Sequence, residues 1–553
     1  MAEALARKPA QNCKRKILKV EAVKRVEWIT AILLSAVTLF LLIVRATHAG
    51  ALWRDQADSV QLAQMGTWGE MWERMRFASF PILFPALVRA HIALFGASDN
   101  ALRWFGLIMG VAFVGIAWWY SRTLFTEAPL LLLALIGLNT TFLTVGTSLR
   151  GYGLGSVFML LAFALTAKLL LEPTHGRFAA VFLAYLAGMQ CLFFDGVLAP
   201  AMALAVVILC VSRGRFKLAL ALAGAVTGCA IAYIPHVKML PPVKDWGSSV
   251  ERSQISLELM WKQFIAACGA PFWIMSYVWH IVFLVSVIAA IWRLKVIWRQ
   301  QPGFESNLLL FGLLTSLISI VGYGAFLNVV HKPPSPRYYL PLICLIAVSV
   351  DLIVANLSRF LWVRITRVIF VIALVIFLPW AAWPRIILRE TNIDIIAHKL
   401  EREARPNDLI IVNPWSFGIS FNWYYHGATR WLTLPNISDH MTHRYDLIKE
   451  KMMNPFPLED VKSETATTLH SGNRVWVVGN LYVADSPEIP LFPFPAPDPK
   501  FGWRHAIYRD AWSRQFRNFV ARRAVKADCL IKRVPNVSPQ ENVALWLVEG
   551  EKQ

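Results

Sequence analysis

Apolar runs long enough to cross a bilayer recur along the first 389 positions of this chain. A spanning helix needs about 20 consecutive apolar residues, and a single water-soluble core does not use such runs repeatedly. The composition agrees: 56% of residues are hydrophobic and 16% charged, with 23 Trp and 33 Phe. A disordered chain is excluded. The 7 Cys show neither CxxC nor metal-ligand spacing, which excludes a disulfide scaffold and leaves the redox compartment unread. The fold class expected is a polytopic α-helical membrane protein.

The net charge of +20 resides in the apolar part. Residues 390–553 hold 20 of the 55 Lys and Arg and 19 of the 35 Asp and Glu, leaving 35 basic and 16 acidic residues before them. A basic excess beside apolar runs is what the positive-inside rule produces, so it points to topology and membrane lipids, not to nucleic acid. Residues 1–27 form a basic tail expected in the cytoplasm, followed by an uncleaved first helix from Trp28 to Val44. Further spans are expected near 101–121, 128–146, 151–171, 177–194, 197–211, 216–235, 271–292, 306–328, 338–356 and 367–383. That makes about 11 to 13 in all. Short basic connections carrying Arg122, Arg177, Arg213, Arg293 and Arg359 fall on the cytoplasmic side. The longer connections at 47–100, 236–270 and 329–337 fall outside, with everything after 390. The transmembrane part is thus 28–389, with 47–100 as its first outer loop, in a multi-pass membrane protein.

From 390 to 553 the pattern changes to that of a soluble α/β domain on the outer side. Short β-rich runs at 409–412, 475–478 and 543–548 alternate with helical patterns near 392–404, 443–453 and 508–526. The Pro-rich 487–499 is a loop. In the last helix Trp512, Phe516, Phe519 and Val520 share an apolar face, and Arg514, Arg517, Arg522 and Arg523 form a solvated basic one, with contact to anionic lipid as the alternative. Asn422 to Gly427 reads as an α/β core element, with saccharide contact through its aromatic rings as the alternative.

The chemistry-bearing residues gather on the outer side. Arg54, Asp55 and Asp58 follow the first span, and a carboxylate near a bilayer needs a partner or a function. Trp68, Met71, Trp72 and Met75 recur on one face of an interfacial helix that fixes the depth of this loop. Pro81 to Phe95 is too short to cross and is expected to stay at the surface. Arg150 and Tyr152 open one span, and His331, Lys332, Arg337 and Tyr338 precede another. These cations depart from the positive-inside trend. Guanidinium forks suit a phosphate, each charge-assisted hydrogen bond contributing about 1.5 to 3 kcal/mol. Asp195, at the start of a helix, is a second-site candidate or a cap. The histidines show no HxxxH or HExxH spacing, and there is no P-loop.

The order of these pieces resembles the GT-C glycosyltransferases, most closely their family 39, ArnT- and protein-mannosyltransferase-like branch. The pieces are the first span, Trp53-Arg54-Asp55, the interfacial helix, Ser79-Phe80-Pro81, Phe95 to Arg103, Leu149-Arg150-Gly151-Tyr152 and Pro336-Arg337-Tyr338. The resemblance covers nearly all of 28–385 and implies a membrane enzyme that takes a sugar from a polyprenyl or dolichyl phosphate on the outer face. Two departures stand out: Asp55-Gln56 replaces the acidic pair of many relatives, and Ser79-Phe80-Pro81 replaces a common His-Pro-Pro.

Carried onto this chain, the resemblance makes Asp55 the general base in an inverting transfer. Arg337, Arg150, Lys332, Tyr152 and Tyr338 become the donor-phosphate group, and Asp58, Arg54, Asp195 and His331 a secondary or acceptor group. The partners implied are a polyprenyl-phosphate-linked sugar, membrane lipids and a glycan, lipid or protein acceptor. A divalent metal is left open as cofactor. The competing class is a transporter or flippase for a lipid-linked or anionic substrate, which ionisable residues through the helix centres or two homologous halves would favour.

Overall fold

The computed structural model describes residues 2–78, 80–125, 127–239, 255–298, 303–330, 333–482 and 487–552. His331 and Lys332, both site candidates, lie outside the described residues, as does Ser79. Among the described residues nine helices are long and apolar enough to cross a bilayer. They are Val20–His48, Asp99–Leu124, Gly151–Leu171, Asp195–Ser212, Phe216–Met239, Ile274–Ile297, Glu305–Val330, Pro336–Leu357 and Leu361–Ile386.

The expected count of about eleven is not confirmed: among the described residues two of the expected runs form no helix long enough to cross. Within 128–146 the chain forms the helix Leu130–Gly137, breaks, and resumes as a π-helical turn at Phe142–Gly146. Asn139 marks the break. Its side-chain oxygen accepts from the backbone N–H of Thr141 at 2.8 Å and of Phe142 at 3.3 Å, a local alternative to the helical ladder. Leu130–Gly137 is buried along its whole length, and irregular backbone at membrane depth is tolerated where protein surrounds it. The run at 177–194 yields a helix of only 15 residues, His175–Met189. It stops where Gln190 turns its amide onto the Ala232 carbonyl at 3.1 Å.

Two buried ionic clusters mark opposite ends of the bundle. At one, Glu27 accepts from Arg364 and Arg367, and Glu127 accepts both nitrogens of the Arg364 fork at 2.5 and 2.6 Å. At the other, Arg45 and Arg103 both reach Glu390, just past the last span. Glu27 and Arg45 share the opening helix. At 1.5 Å of rise per residue they stand about 27 Å apart, close to the thickness of a hydrocarbon core. Buried charges persist when paired, and here the pairing ties the first and last spans at both ends.

The chain after the last span forms a five-stranded sheet of order β2-β1-β3-β5-β4. The strands are β1 (Leu409–Asn413), β2 (Trp431–Thr433), β3 (Val475–Gly479), β4 (Ala524–Ile531) and β5 (Leu545–Glu551). β2, β1 and β3 run parallel, while β5 and β4 are antiparallel additions. Leu409, Ile411, Val475 and Val477 face one apolar core; Ile410, Val412, Trp476 and Val478 face the other, with the helix Ile393–Glu403. This period of two, buried on both faces, is the signature of a covered parallel sheet. β4 begins at Ala524, so the helix expected to reach 526 ends at Arg523. Arg514 is not on a solvated face: it is buried and donates to the carbonyls of Ile489 and Pro490 at 2.6 and 3.0 Å, holding the Pro-rich loop.

The helix Gly418–Tyr424 docks this unit onto the first loop. Asn422 donates to Gln61 at 2.7 Å, Gln61 to the Ile419 carbonyl at 3.1 Å, and the Tyr424 hydroxyl to Asp99 at 2.7 Å. The segment weighed for saccharide contact therefore joins the two halves of the protein.

Candidate active site

Asp55 lies in the first turn of the helix Arg54–Ala63, whose N-terminus stabilises a carboxylate. Asp58 follows at i+3 and so shares its face. Arg150 sits in extended backbone immediately before the span Gly151–Leu171. Arg337 sits in a single 3-10 turn, Pro336–Tyr339, that leads into the next span. Three separate stretches of sequence thus present their charges to one place.

Asp55 Oδ2 accepts from Arg337 Nη1 at 3.2 Å and lies 3.9 Å from Arg150. Its Oδ1 meets His443 Nε2 at 3.2 Å and lies 3.5 Å from Arg54. Arg150 also donates to the Asp55 carbonyl at 2.7 Å and to Ser59 Oγ at 3.3 Å, and approaches Asp58 at 3.6 Å. Its guanidinium stacks over Phe80, 4.4 Å from the ring centroid. The Arg150 side chain is only 7% exposed, against 28% for Arg337 and 30% for Arg54. Arg150 is therefore committed to holding the loop helix, whereas Arg337 and Arg54, flanking Trp53, are the cations open to a ligand.

Tyr152 and Tyr338 face each other with centroids 6.0 Å apart, and Tyr338 stacks on Phe194 at 4.9 Å. Asp58 accepts the backbone N–H of His443 at 3.0 Å. The two carboxyls differ in acidity. Burial pushes Asp55 up, but Arg150, the hydrogen bond from His443 and Arg337 outweigh it and hold the group well below the usual range. For Asp58 burial prevails over the pull of His443 and Arg150, and its pKa is raised. Three guanidiniums face Asp55 and Asp58 in a largely buried place, a setting suited to an anionic ligand, with Glu541 against the backbone of Arg54 at its edge.

Of the sequence candidates, Asp55, Asp58, Arg54, Arg150, Arg337, Tyr152 and Tyr338 come together. Asp195 does not join them: it is fully buried, neither of its carboxylate oxygens has a hydrogen-bond partner among the described residues, and it packs against Gly155. Sequence reasoning missed His443, which belongs to the C-terminal unit and carries no local pattern. It also missed Glu541, which accepts the Arg54 backbone N–H at 2.7 Å. Among the described residues no group of three or more His, Cys, Asp or Glu is placed to hold a metal ion.

No protein-family model and no curated protein matches the sequence. Among solved structures, the Archaeoglobus fulgidus oligosaccharyltransferase tethered to an acceptor peptide aligns with 95% of this chain and 74% of its own, at 9% identity and a TM-score of 0.47. ArnT from Cupriavidus metallidurans in the apo state covers 82% of this chain and 92% of its own, at 10% identity and a TM-score of 0.52. The same protein bound to undecaprenyl phosphate gives the same coverage and identity with a TM-score of 0.50. In overall fold the chain is similar to ArnT.

Proposed function

We propose that the protein is a glycosyltransferase that moves one sugar from a polyprenyl-phosphate donor to an acceptor on the extracytoplasmic face of the membrane, with Asp55 as general base. The observation that carries this reading is the contact of Asp55 with Arg337 at 3.2 Å, a proton acceptor and a partly open anion binder in one place. Supporting it, the fold is shared with ArnT, which has been solved with undecaprenyl phosphate bound.

The acceptor hydroxyl attacks the anomeric carbon and its proton passes to an Asp55 oxygen. The bond from that carbon to the phosphate oxygen breaks, and its electron pair leaves with the lipid phosphate. Negative charge grows on the departing phosphate, so Arg337 and Arg54 stabilise the transition state more than the ground state. Before the donor arrives, Asp55 is a weak base because Arg150, His443 and Arg337 together outweigh burial and hold it ionised. A phosphate that draws Arg337 away removes one of the charges that hold Asp55 ionised and raises its basicity in that measure, while Arg150 and His443 stay in place.

The outward orientation rests on charge. Arg122, Arg293, Arg359 and Arg364 cluster with Glu127 and Glu305 at the end opposite Asp55, and this basic excess supports reading that end as cytoplasmic. The domain limits at 28–389 and 390–553 belong to the same reading.

The test is purified protein with a panel of polyprenyl-phosphate sugars, reading free carrier phosphate and glycosidic product together. Both are expected in equal amounts. Movement of the carrier across the bilayer without a new glycosidic bond would replace the enzyme with a transporter.

A further inference from the structure

His443 makes two contacts with the carboxylate pair. Its Nε2 meets Asp55 Oδ1 at 3.2 Å, and its own backbone N–H donates to Asp58 Oδ1 at 3.0 Å. A carboxylate only accepts, so Nε2 carries the proton in this bond. The residue comes from 388 positions away, out of the C-terminal unit, and is held firmly there. Its ring stacks on Tyr445 at 5.6 Å with 13° between planes, and the Trp415 ring stands edge-on at 6.3 Å. The flanking residues are fixed to the first loop as well. Arg74 of the interfacial helix pairs with Asp439, Arg444 reaches the same carboxylate at 2.7 Å, and the Arg444 guanidinium lies over Phe77 at 4.9 Å.

The two oxygens of Asp55 therefore have different holders. Oδ2 belongs to Arg337 and Arg150; Oδ1 belongs to His443, with Arg54 at the longer distance of 3.5 Å. When a donor phosphate takes Arg337, Oδ2 loses the one side-chain hydrogen bond it has among the described residues. The terminal torsion of an Asp is broad and roughly two-fold, so nothing intrinsic to the residue keeps the carboxylate plane in place. A hydrogen bond to Oδ1 does.

We propose that His443 is a positioning residue: it fixes the Asp55 carboxylate through Oδ1 so that Oδ2 faces the acceptor's proton once the donor phosphate has engaged Arg337. This rests on the proposed role of Asp55 and adds that the C-terminal unit supplies part of the active site. A displacement of about 1 Å at a reacting group costs on the order of 10²-fold in rate.

The experiment compares full-length wild type, His443→Ala, His443→Gln and Asp55→Asn, reading kcat, donor KM and binding of undecaprenyl phosphate alone. His443→Ala is expected to lower kcat about 10- to 100-fold with donor KM and carrier binding within about twofold of wild type. His443→Gln, whose amide nitrogen can donate to the same oxygen, is expected to regain most of the lost kcat. The proposal is overturned if His443→Ala binds the carrier and turns over at the wild-type rate, or if His443→Gln binds it and is as slow as the alanine variant. Should His443→Ala no longer bind the carrier, His443→Gln decides alone: near wild-type kcat upholds the role and a tenfold loss removes it. Full turnover by Asp55→Asn would instead overturn the base assignment beneath it, a separate result.

Discussion

Arg337 and Asp55 are 282 positions apart in sequence, yet a guanidinium nitrogen of one lies 3.2 Å from a carboxylate oxygen of the other. The bond is partly open on the Arg337 side and closed on the Asp55 side. In the proposed reaction an incoming phosphate shares the Arg337 fork with Asp55, so donor binding would loosen one of the contacts that hold the base.

Arg337→Ala is expected to weaken binding of the lipid phosphate. The loss of one or two charge-assisted hydrogen bonds, at about 1.5 to 3 kcal/mol each, corresponds to roughly a 10- to 150-fold rise in Kd for the first bond alone. Arg337→Lys keeps the charge and loses the fork, and should fall between. Undecaprenyl phosphate titrated into each variant gives the answer. An unchanged Kd for the alanine variant would reduce Arg337 to a structural partner of Asp55.

Asp55→Asn should retain donor affinity and lose about 10² to 10⁴ in kcat, the usual contribution of a general base. Asp58→Asn is expected to cost less than about tenfold. Burial already raises the Asp58 pKa, and a neutral amide still offers an oxygen to the His443 N–H. Equal losses in the two variants would show that the carboxylates act as a pair.

Much of this was legible in one dimension, and the reason is the bilayer. Apolar length and loop charge report on single segments, so most of the spans and the grouping of Asp55, Arg150 and Arg337 at one end could be read from the chain. The breaks could not be read from hydropathy, because Asn139 interrupts an apolar run without changing its average. The signal there was the Asn itself, followed by two Thr. His443 had no signal of that kind. Its role comes from a contact between two halves of the protein, and nothing around Thr442 to Arg444 distinguishes it from a packed histidine. The docking role of Tyr424 was hidden in the same way, since its partners Leu52 and Asp99 lie more than 300 positions earlier.

Gly106 allows the span Asp99–Leu124 to touch the turn before Arg150: a Cβ there would stand 1.9 Å from the Thr147 carbonyl oxygen. Small residues permit such backbone approaches between membrane helices. Gly106→Ala is expected to destabilise by at least about 1 to 3 kcal/mol and to weaken donor binding by displacing the Arg150 turn. Gly115→Ala on the same helix, where nothing lies within 4 Å, is the control and should leave both unchanged or slightly improved. Thermal unfolding in detergent and carrier-phosphate binding measure the two effects, and equal behaviour of the two variants would mean that the helix can shift to accept a methyl group.

Glu541 should make the junction of the two halves sensitive to pH. It is fully buried, accepts the Arg54 N–H at 2.7 Å, and is bonded by the Ser420 and Thr391 hydroxyls. Burial pushes its pKa up to about 7, with Ser420 and Arg54 opposing only in part. A carboxyl raised on folding stabilises fully below its unfolded pKa of about 4.3 and loses that contribution as pH rises through the folded value. Over a range from about pH 5.5 to 8.5 wild-type Tm is therefore expected to fall relative to that of Glu541→Gln, which stays neutral and can still accept from Arg54 and donate to Ser420. Asp55 titrates far below this window and Asp58 is present in both proteins, so the difference between the two curves isolates Glu541. Parallel curves would show that the buried carboxyl does not change charge in this range, and a wild type that gains on the glutamine variant with rising pH would reverse the sign.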